Sequence, residues 1–241
     1  RHGAGSGIYH GEGNIMARVF NGSSQYLSVS STLLSNEPID MVIHGNSDSV
    51  TAGQFAISLG NNGANGGYAL AFRGDVASDP FQAWKFDDAG SGGSGATSAG
   101  FSATTWYVAS NSFISNTSRA VFLNGGSKGT DTTNAPDPSP DFITIGALRR
   151  NALSLYFDGS LAEAYLLDAN MADAVHAVVG LGYSPIWMMP ISNIRGWYPL
   201  QADNNNRVTG GYPDLTATGS PTDGAHPFNV VYPRINGVIT L

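Results

Sequence analysis

Apolar and polar positions alternate with period two along most of the chain, which predicts half-buried β-strands. Arg18-Val19-Phe20 and Gln25-Tyr26-Leu27-Ser28-Val29 open the series, with Asn21-Gly22 between them as a hairpin turn. Asp40-Met41-Val42-Ile43-His44, Phe55-Ala56-Ile57-Ser58-Leu59, Tyr68-Ala69-Leu70-Ala71-Phe72 and Ala83-Trp84-Lys85-Phe86 follow. Further strands are predicted at 106–109, 119–123, 142–146 and 160–167, with Asn124-Gly125 as a second hairpin turn. Strict alternation across 160–167 puts Leu161, Glu163, Tyr165 and Leu167 on one face and Ala162, Ala164 and Leu166 on the other. The Gly/Ser-rich stretch 87–100 has little to bury and reads as a surface loop.

One helix interrupts the pattern. Asn170-Met171-Ala172-Asp173 has the spacing of a capping residue and an acid, and Val175, Val178 and Val179 follow at helical spacing. Gly180 and Gly182 supply the stop, and the helix is expected to plug one end of a sandwich. Residues 184–200 carry Trp187, Trp197 and Tyr198 among prolines and read as irregular chain packed by its aromatics. Beyond Gln201 only Asn229-Val230-Val231-Tyr232 reads as a strand. The expected organisation is an extended glycine-rich arm at 1–15, a sandwich domain at 16–183, and an extension at 184–241 packed upon it.

Composition narrows the partners. With 12% charged residues, the surface must be dressed mainly in Ser, Thr, Asn and Gly. A net charge of −7 with 11 Lys and Arg, the densest pair being Arg149-Arg150, argues against nucleic acid. The absence of cysteine excludes disulfides and thiolate chemistry. No apolar run approaches the roughly 18 residues of a membrane span, and the polar first fifteen residues do not read as a signal peptide.

Five short motifs carry a resemblance. Phe20 to Val29, Trp106-Tyr107-Val108-Ala109, Val121-Phe122-Leu123-Asn124-Gly125, Ile143-Thr144-Ile145-Gly146-Ala147 and Phe157 to Tyr165 stand in the order found in laminin-G-like jelly rolls of the concanavalin A-like superfamily. The resemblance implies an all-β, concanavalin A-like antiparallel sandwich with one short helix. Gly196-Trp197-Tyr198-Pro199-Leu200 and Gly219-Ser220-Pro221-Thr222 resemble the C-terminal extension of such domains in bacteriophage and environmental viral proteins.

Candidate chemistry is sparse. Glycoside hydrolysis needs two carboxylates flanking the scissile bond, whereas the three glutamates, Glu12, Glu37 and Glu163, form none of the runs found in glucanase relatives. No nucleophile elbow appears, and the five histidines lack metal-ligand spacing, with His176 read as a surface residue. No cofactor is required by any motif. Calcium is the metal to consider, because relatives of this fold bind it through loop oxygens, and Asp75, Asp79, Asp87 and Asp88 occupy loops flanking two successive strands. Ala162, where the family often has an aspartate, removes one expected ligand. The candidate sugar-binding residues are Asn62, Asn65 and Tyr68 in one loop and Asn205 and Arg207 in another, and both loops also read as plain turns.

Together these features lead to an expectation of a non-enzymatic decoration protein on a virion surface, a phage head or tail. It would bind other virion proteins or copies of itself through the arm, with glycan adhesion alongside. A lectin or adhesin module is the alternative, and a glycosidase comes third.

Overall fold

The computed structural model describes residues 16–201 and 203–227, so the arm at 1–15 and the strand expected at 229–232 lie outside the described residues. Among the described residues, seventeen strands and one α-helix follow in order: β1 (Met16–Asn21), β2 (Tyr26–Ser30), β3 (Ile39–Ser47), β4 (Gly53–Gly60), β5 (Gly67–Arg73), β6 (Pro80–Phe86), β7 (Gly92–Gly100), β8 (Trp106–Ser115), β9 (Ser118–Leu123), β10 (Gly126–Asp131), β11 (Phe142–Ile145), β12 (Leu148–Arg149), β13 (Leu153–Ser154), β14 (Asp158–Leu167), α1 (Asp173–Val179), β15 (Ile194–Tyr198), β16 (Thr216–Thr218) and β17 (Thr222–Ala225).

Two antiparallel sheets form the sandwich. The eight-stranded sheet runs β10-β9-β8-β3-β14-β1-β17, with β15 also paired to β14, and the seven-stranded sheet runs β16-β2-β11-β4-β5-β6-β7. Period-two patterning accounts for the interior: Met41, Ile43, Ala109, Val121 and Leu161 of one sheet meet Leu27, Ile57, Leu70, Phe72 and Ile145 of the other in one core. Phe72 is its hub, with Phe81, Phe157 and Phe101 rings packed edge-on at centroid distances of 4.3, 5.1 and 5.2 Å. Strand β3 is buried on both faces, because its even-numbered side chains lie beneath further layers of chain.

Several local expectations change. Asn124-Gly125 is a two-residue hairpin turn, both residues in the left-handed region. Asn21-Gly22 joins strands of different sheets, and the Asn21 Oδ1 accepts the N–H groups of Ser23, Ser24 and Gln25 to turn that corner. The expected loop at 87–100 contains an edge strand, β7, held to β6 by main-chain pairing. Glycines are needed there because a Cβ at Gly92 would overlap the Lys85 carbonyl. The region after 184 also joins the sheets, through β15, β16 and β17, in place of the irregular chain expected.

In β14 the alternation breaks. Ala162 pairs with His44 and Tyr165 with Val42, so β14 carries one residue more than β3 between those pairs. The bulge falls at Glu163, whose φ is 51°. Leu161, Ala164 and Leu166 consequently enter the main core, while Tyr165 and Leu167 turn outward into a second apolar cluster.

Candidate functional site

Each sheet has a covered outer face, and the two coverings differ. On the eight-stranded sheet, Asp40 and His44 of β3, Trp106, Ser110 and Ser112 of β8 and Phe122 of β9 lie beneath or beside α1. The helix lies across this face instead of plugging an end. It begins at Asp173, with Ala172 at the N-cap position and no side-chain cap, so Asn170 does not play the capping role expected of it.

His176 is fully buried, not at the surface as expected. Its ring stacks on Phe122 at 4.0 Å, Nδ1 lies 2.8 Å from Ser110 Oγ, and Nε2 lies 2.9 Å from Ser112 Oγ and 4.0 Å from Asp40 Oδ2. Burial pulls His176 down to about 4, opposed by Asp173 and assisted by Lys128. Burial pushes Asp40 up to about 7, against hydrogen bonds from Ser112 and the Met171 N–H. Serine, histidine and aspartate form the grouping of a hydrolase triad. Here all four side chains are buried and the histidine bridges two serines, so the group fastens the helix to the sheet.

Beyond the C-terminal end of α1 a cleft of about 400 Å³ opens, lined by His44, Trp106, Val108, Asn124, Leu181 and Pro227 among others. Its wall is set by close backbone packing. Gly180 rests on the β9–β10 turn, where a Cβ would overlap the Gly125 amide nitrogen. Asn124 Oδ1 accepts the Val108 N–H at 2.9 Å and so ties that turn to β8. His44 is drawn down to about 4, chiefly by burial, with Glu163 opposing and His226 assisting. Glu163, buried on the β14 bulge, accepts from Tyr165 Oη at 3.0 Å and Trp197 Nε1 at 2.9 Å, and its Oε1 stands 3.5 Å from His226 Nε2.

The seven-stranded sheet is covered by the β12–β13 hairpin, whose Leu148 packs on Phe55, Ala69 and Ala71 beside Trp84. At one end of this face the hairpin meets the β4–β5 loop. Arg149 lies over Phe142 at 4.2 Å and donates from Nη2 to Asn62 Oδ1 at 2.7 Å. Arg150 lies over Phe86 at 4.7 Å and donates from Nε to the Asn65 carbonyl at 2.9 Å. The sequence marked Asn62, Asn65 and the arginine pair separately, and their meeting depends on packing between distant segments.

The remaining candidates disperse. Tyr68 is fully buried in the core and donates from Oη to Asp137, so it offers no surface for a sugar, contrary to expectation. Asn205 and Arg207 are both tied to Asp203 beside β15, on the other sheet from Asn62 and Asn65. Asp75 and Asp79 sit before β6 and Asp87 and Asp88 after it, so a strand of seven residues, roughly 20 Å long, separates the pairs. Both Asp75 oxygens accept from Arg73, Asp87 Oδ1 caps Ser91 N–H, and Asp88 Oδ1 accepts from Ser139 N–H. Among the described residues no three His, Asp or Glu side chains are grouped to hold a metal, so the proposed calcium set does not fit as a unit.

No protein-family model matches the chain, and no curated protein sequence matches it. Solved structures do. A native heptameric SAP-like pentraxin from Limulus polyphemus has a TM-score of 0.65 at 11% identity, over 90% of this chain and 98% of that one. A putative carbohydrate binding protein from Bacteroides ovatus has a TM-score of 0.59 at 13% identity, over 90% of this chain and 61% of that one. The CBM40 of the Ruminococcus gnavus IT-sialidase, bound to α2,3-sialyllactose, has a TM-score of 0.52 at 14% identity, over 70% of this chain and all of that one. At these identities the likeness is one of fold: the protein is a concanavalin A-like jelly roll, as the strand motifs predicted.

Proposed function

We propose that the protein is a non-catalytic carbohydrate-binding domain whose ligand occupies the cleft beside Trp106. The observation that carries this is the composition of the cleft. It combines a half-buried indole and the apolar Val108 and Leu181 with the polar edges of His44 and Asn124, which suits a sugar's apolar face and its hydroxyls. No carboxylate lines it among the described residues, whereas glycoside hydrolysis needs two across one bond. A putative carbohydrate binding protein and a sialidase CBM40 bound to α2,3-sialyllactose, both similar in fold, support this reading over a virion role. The virion expectation rested partly on the arm at 1–15, which lies outside the described residues.

Glycan-array screening followed by calorimetry of Trp106→Ala tests the proposal. Loss of at least about tenfold in affinity, with an unchanged melting temperature, is the expected result. Undiminished affinity would move the ligand away from this cleft.

A further inference from the structure

We infer that the end of the seven-stranded sheet around Arg149 and Arg150 is a second site, one that binds the acidic groups of a charged polysaccharide. The inference rests on the carbohydrate reading above but concerns different residues. Every other lysine and arginine among the described residues lies within salt-bridge distance of a carboxylate. In a chain with a net charge of −7, the adjacent Arg149 and Arg150 are the exceptions. Both are only partly buried, each guanidinium is held against a phenylalanine ring, and both reach the same β4–β5 loop. Arg149 Nε is buried with no hydrogen-bond partner. The rings fix the guanidinium planes, so little side-chain freedom remains to be lost when an oxyanion binds.

The surroundings select the kind of anion. The exposed amides of Asn62 and Asn65 flank the arginines, the Asp141 carboxylate accepts the Asn62 N–H, and the Asp88 main-chain carbonyl accepts the Asn65 N–H. Amides and carboxylates together suit the free hydroxyls of a sugar chain, which the DNA backbone lacks. Two cations amid hydroxyl-binding groups therefore point to a carboxylate or sulfate on a sugar chain.

Loop packing makes the site rigid. A Cβ at Gly60 would overlap the Arg149 carbonyl, one at Gly66 would overlap Asp88 Oδ1, and one at Gly90 would press on Arg150 Nη2 at 3.2 Å. Loops from three separate connections are thus seated on one another by glycines.

The test is binding of the full chain to polygalacturonate, dextran sulfate, unmodified dextran and duplex DNA, compared with Arg149→Gln/Arg150→Gln and with each single variant. Wild type is expected to bind polygalacturonate, dextran sulfate or both, which identifies the group as carboxylate or sulfate. Affinity should drop with added salt and by about tenfold for each arginine removed. Binding of any neutral glycan at the Trp106 cleft should be unchanged in these variants. Acidic binding that survives the double substitution overturns the inference and leaves the carbohydrate reading standing. So does a wild type that prefers neutral sugars or binds DNA equally well. Binding to no glycan of either class overturns both.

Discussion

The two outer faces of this sandwich solve the same covering problem in opposite ways. The eight-stranded sheet is overlaid by α1 and the chain leading to β15, and its polar row of Asp40, Ser110, Ser112 and His44 is buried beneath. There burial drives the titratable groups towards neutrality, His44 and His176 downward and Asp40 upward. The seven-stranded sheet is overlaid by the short β12–β13 hairpin, and at its end Arg149 and Arg150 lie stacked on rings and partly open to water. Polar residues therefore act in two roles in one fold. Buried ones hold a layer in place at a cost in pH tolerance, and half-exposed ones remain available to a ligand.

The largest effect expected from breaking this contrast comes at the seat of the helix. Gly180 has an ordinary helical φ of −61°, so alanine suits its backbone, and helix propensity alone would favour the change. Packing decides otherwise, because the new methyl would collide with main-chain atoms of Asn124 and Gly125, which a rotamer change cannot move. Gly180→Ala should cost about 3 kcal/mol in urea unfolding and widen the cleft. Gly63→Ala, on the exposed β4–β5 loop, meets only the Asn61 Oδ1 at 3.5 Å and should stay within about 0.5 kcal/mol of wild type.

Next in size is the pH response of the buried row. The folded values of His44 and His176 lie near 4, below the ordinary 6.5, so the unfolded chain takes up protons first. Their contribution to stability falls as pH drops from about 6.5 towards 4. Asp40 has the opposite sign. At about 7, against an ordinary 3.8, it keeps in the folded state a proton that the unfolded chain has released, so stability falls as pH rises through that window. Asp40→Asn removes only the second term. Unfolding measured from pH 4 to pH 8 should show the variant gaining on wild type as pH rises towards 7 and levelling off above it. A flat difference would mean that Asp40 is charged in the fold despite its burial.

These contrasts also explain what the sequence could and could not reveal. Strands rich in apolar residues, such as Ile39 to Ser47 and Phe142 to Ile145, announce themselves in the sequence even though both of their faces are buried, and the concanavalin A-like fold was legible from their order. β7, β16 and β17 were missed because Gly, Ser and Thr strands are held by main-chain pairing, which leaves no apolar pattern. Asn21-Gly22 and Asn124-Gly125 carry the same local signal, and only the sheet assignment of the flanking strands makes one a corner and the other a hairpin. His176 looked like a surface residue because its short helix shows nothing of the Phe122 and Ser110 that enclose it. Of the candidate site, Asn62 and Asn65 were picked out by chemistry. The arrival of Arg149 and Arg150 from nearly ninety residues away left no mark in local spacing.

A smaller stability effect than either belongs to the residues given the largest role in acidic recognition. Arg149 and Arg150 make no salt bridge among the described residues, and each contributes one hydrogen bond and one ring contact through its side chain. Cation–π contacts at exposed sites are worth about 0.5–1 kcal/mol each, so the double glutamine variant should lose only about 1–2 kcal/mol in total. A residue kept for packing shows its loss in the melting curve, whereas one kept for a ligand shows it in the binding isotherm. Thermal melts of the double variant run beside its polysaccharide titrations separate the two. A loss of about 1–2 kcal/mol with a collapse in acidic binding sharpens the contrast between the faces. A loss of 3 kcal/mol or more would make the arginine stacks a structural clamp, and the two faces would then differ in solvent exposure but not in purpose.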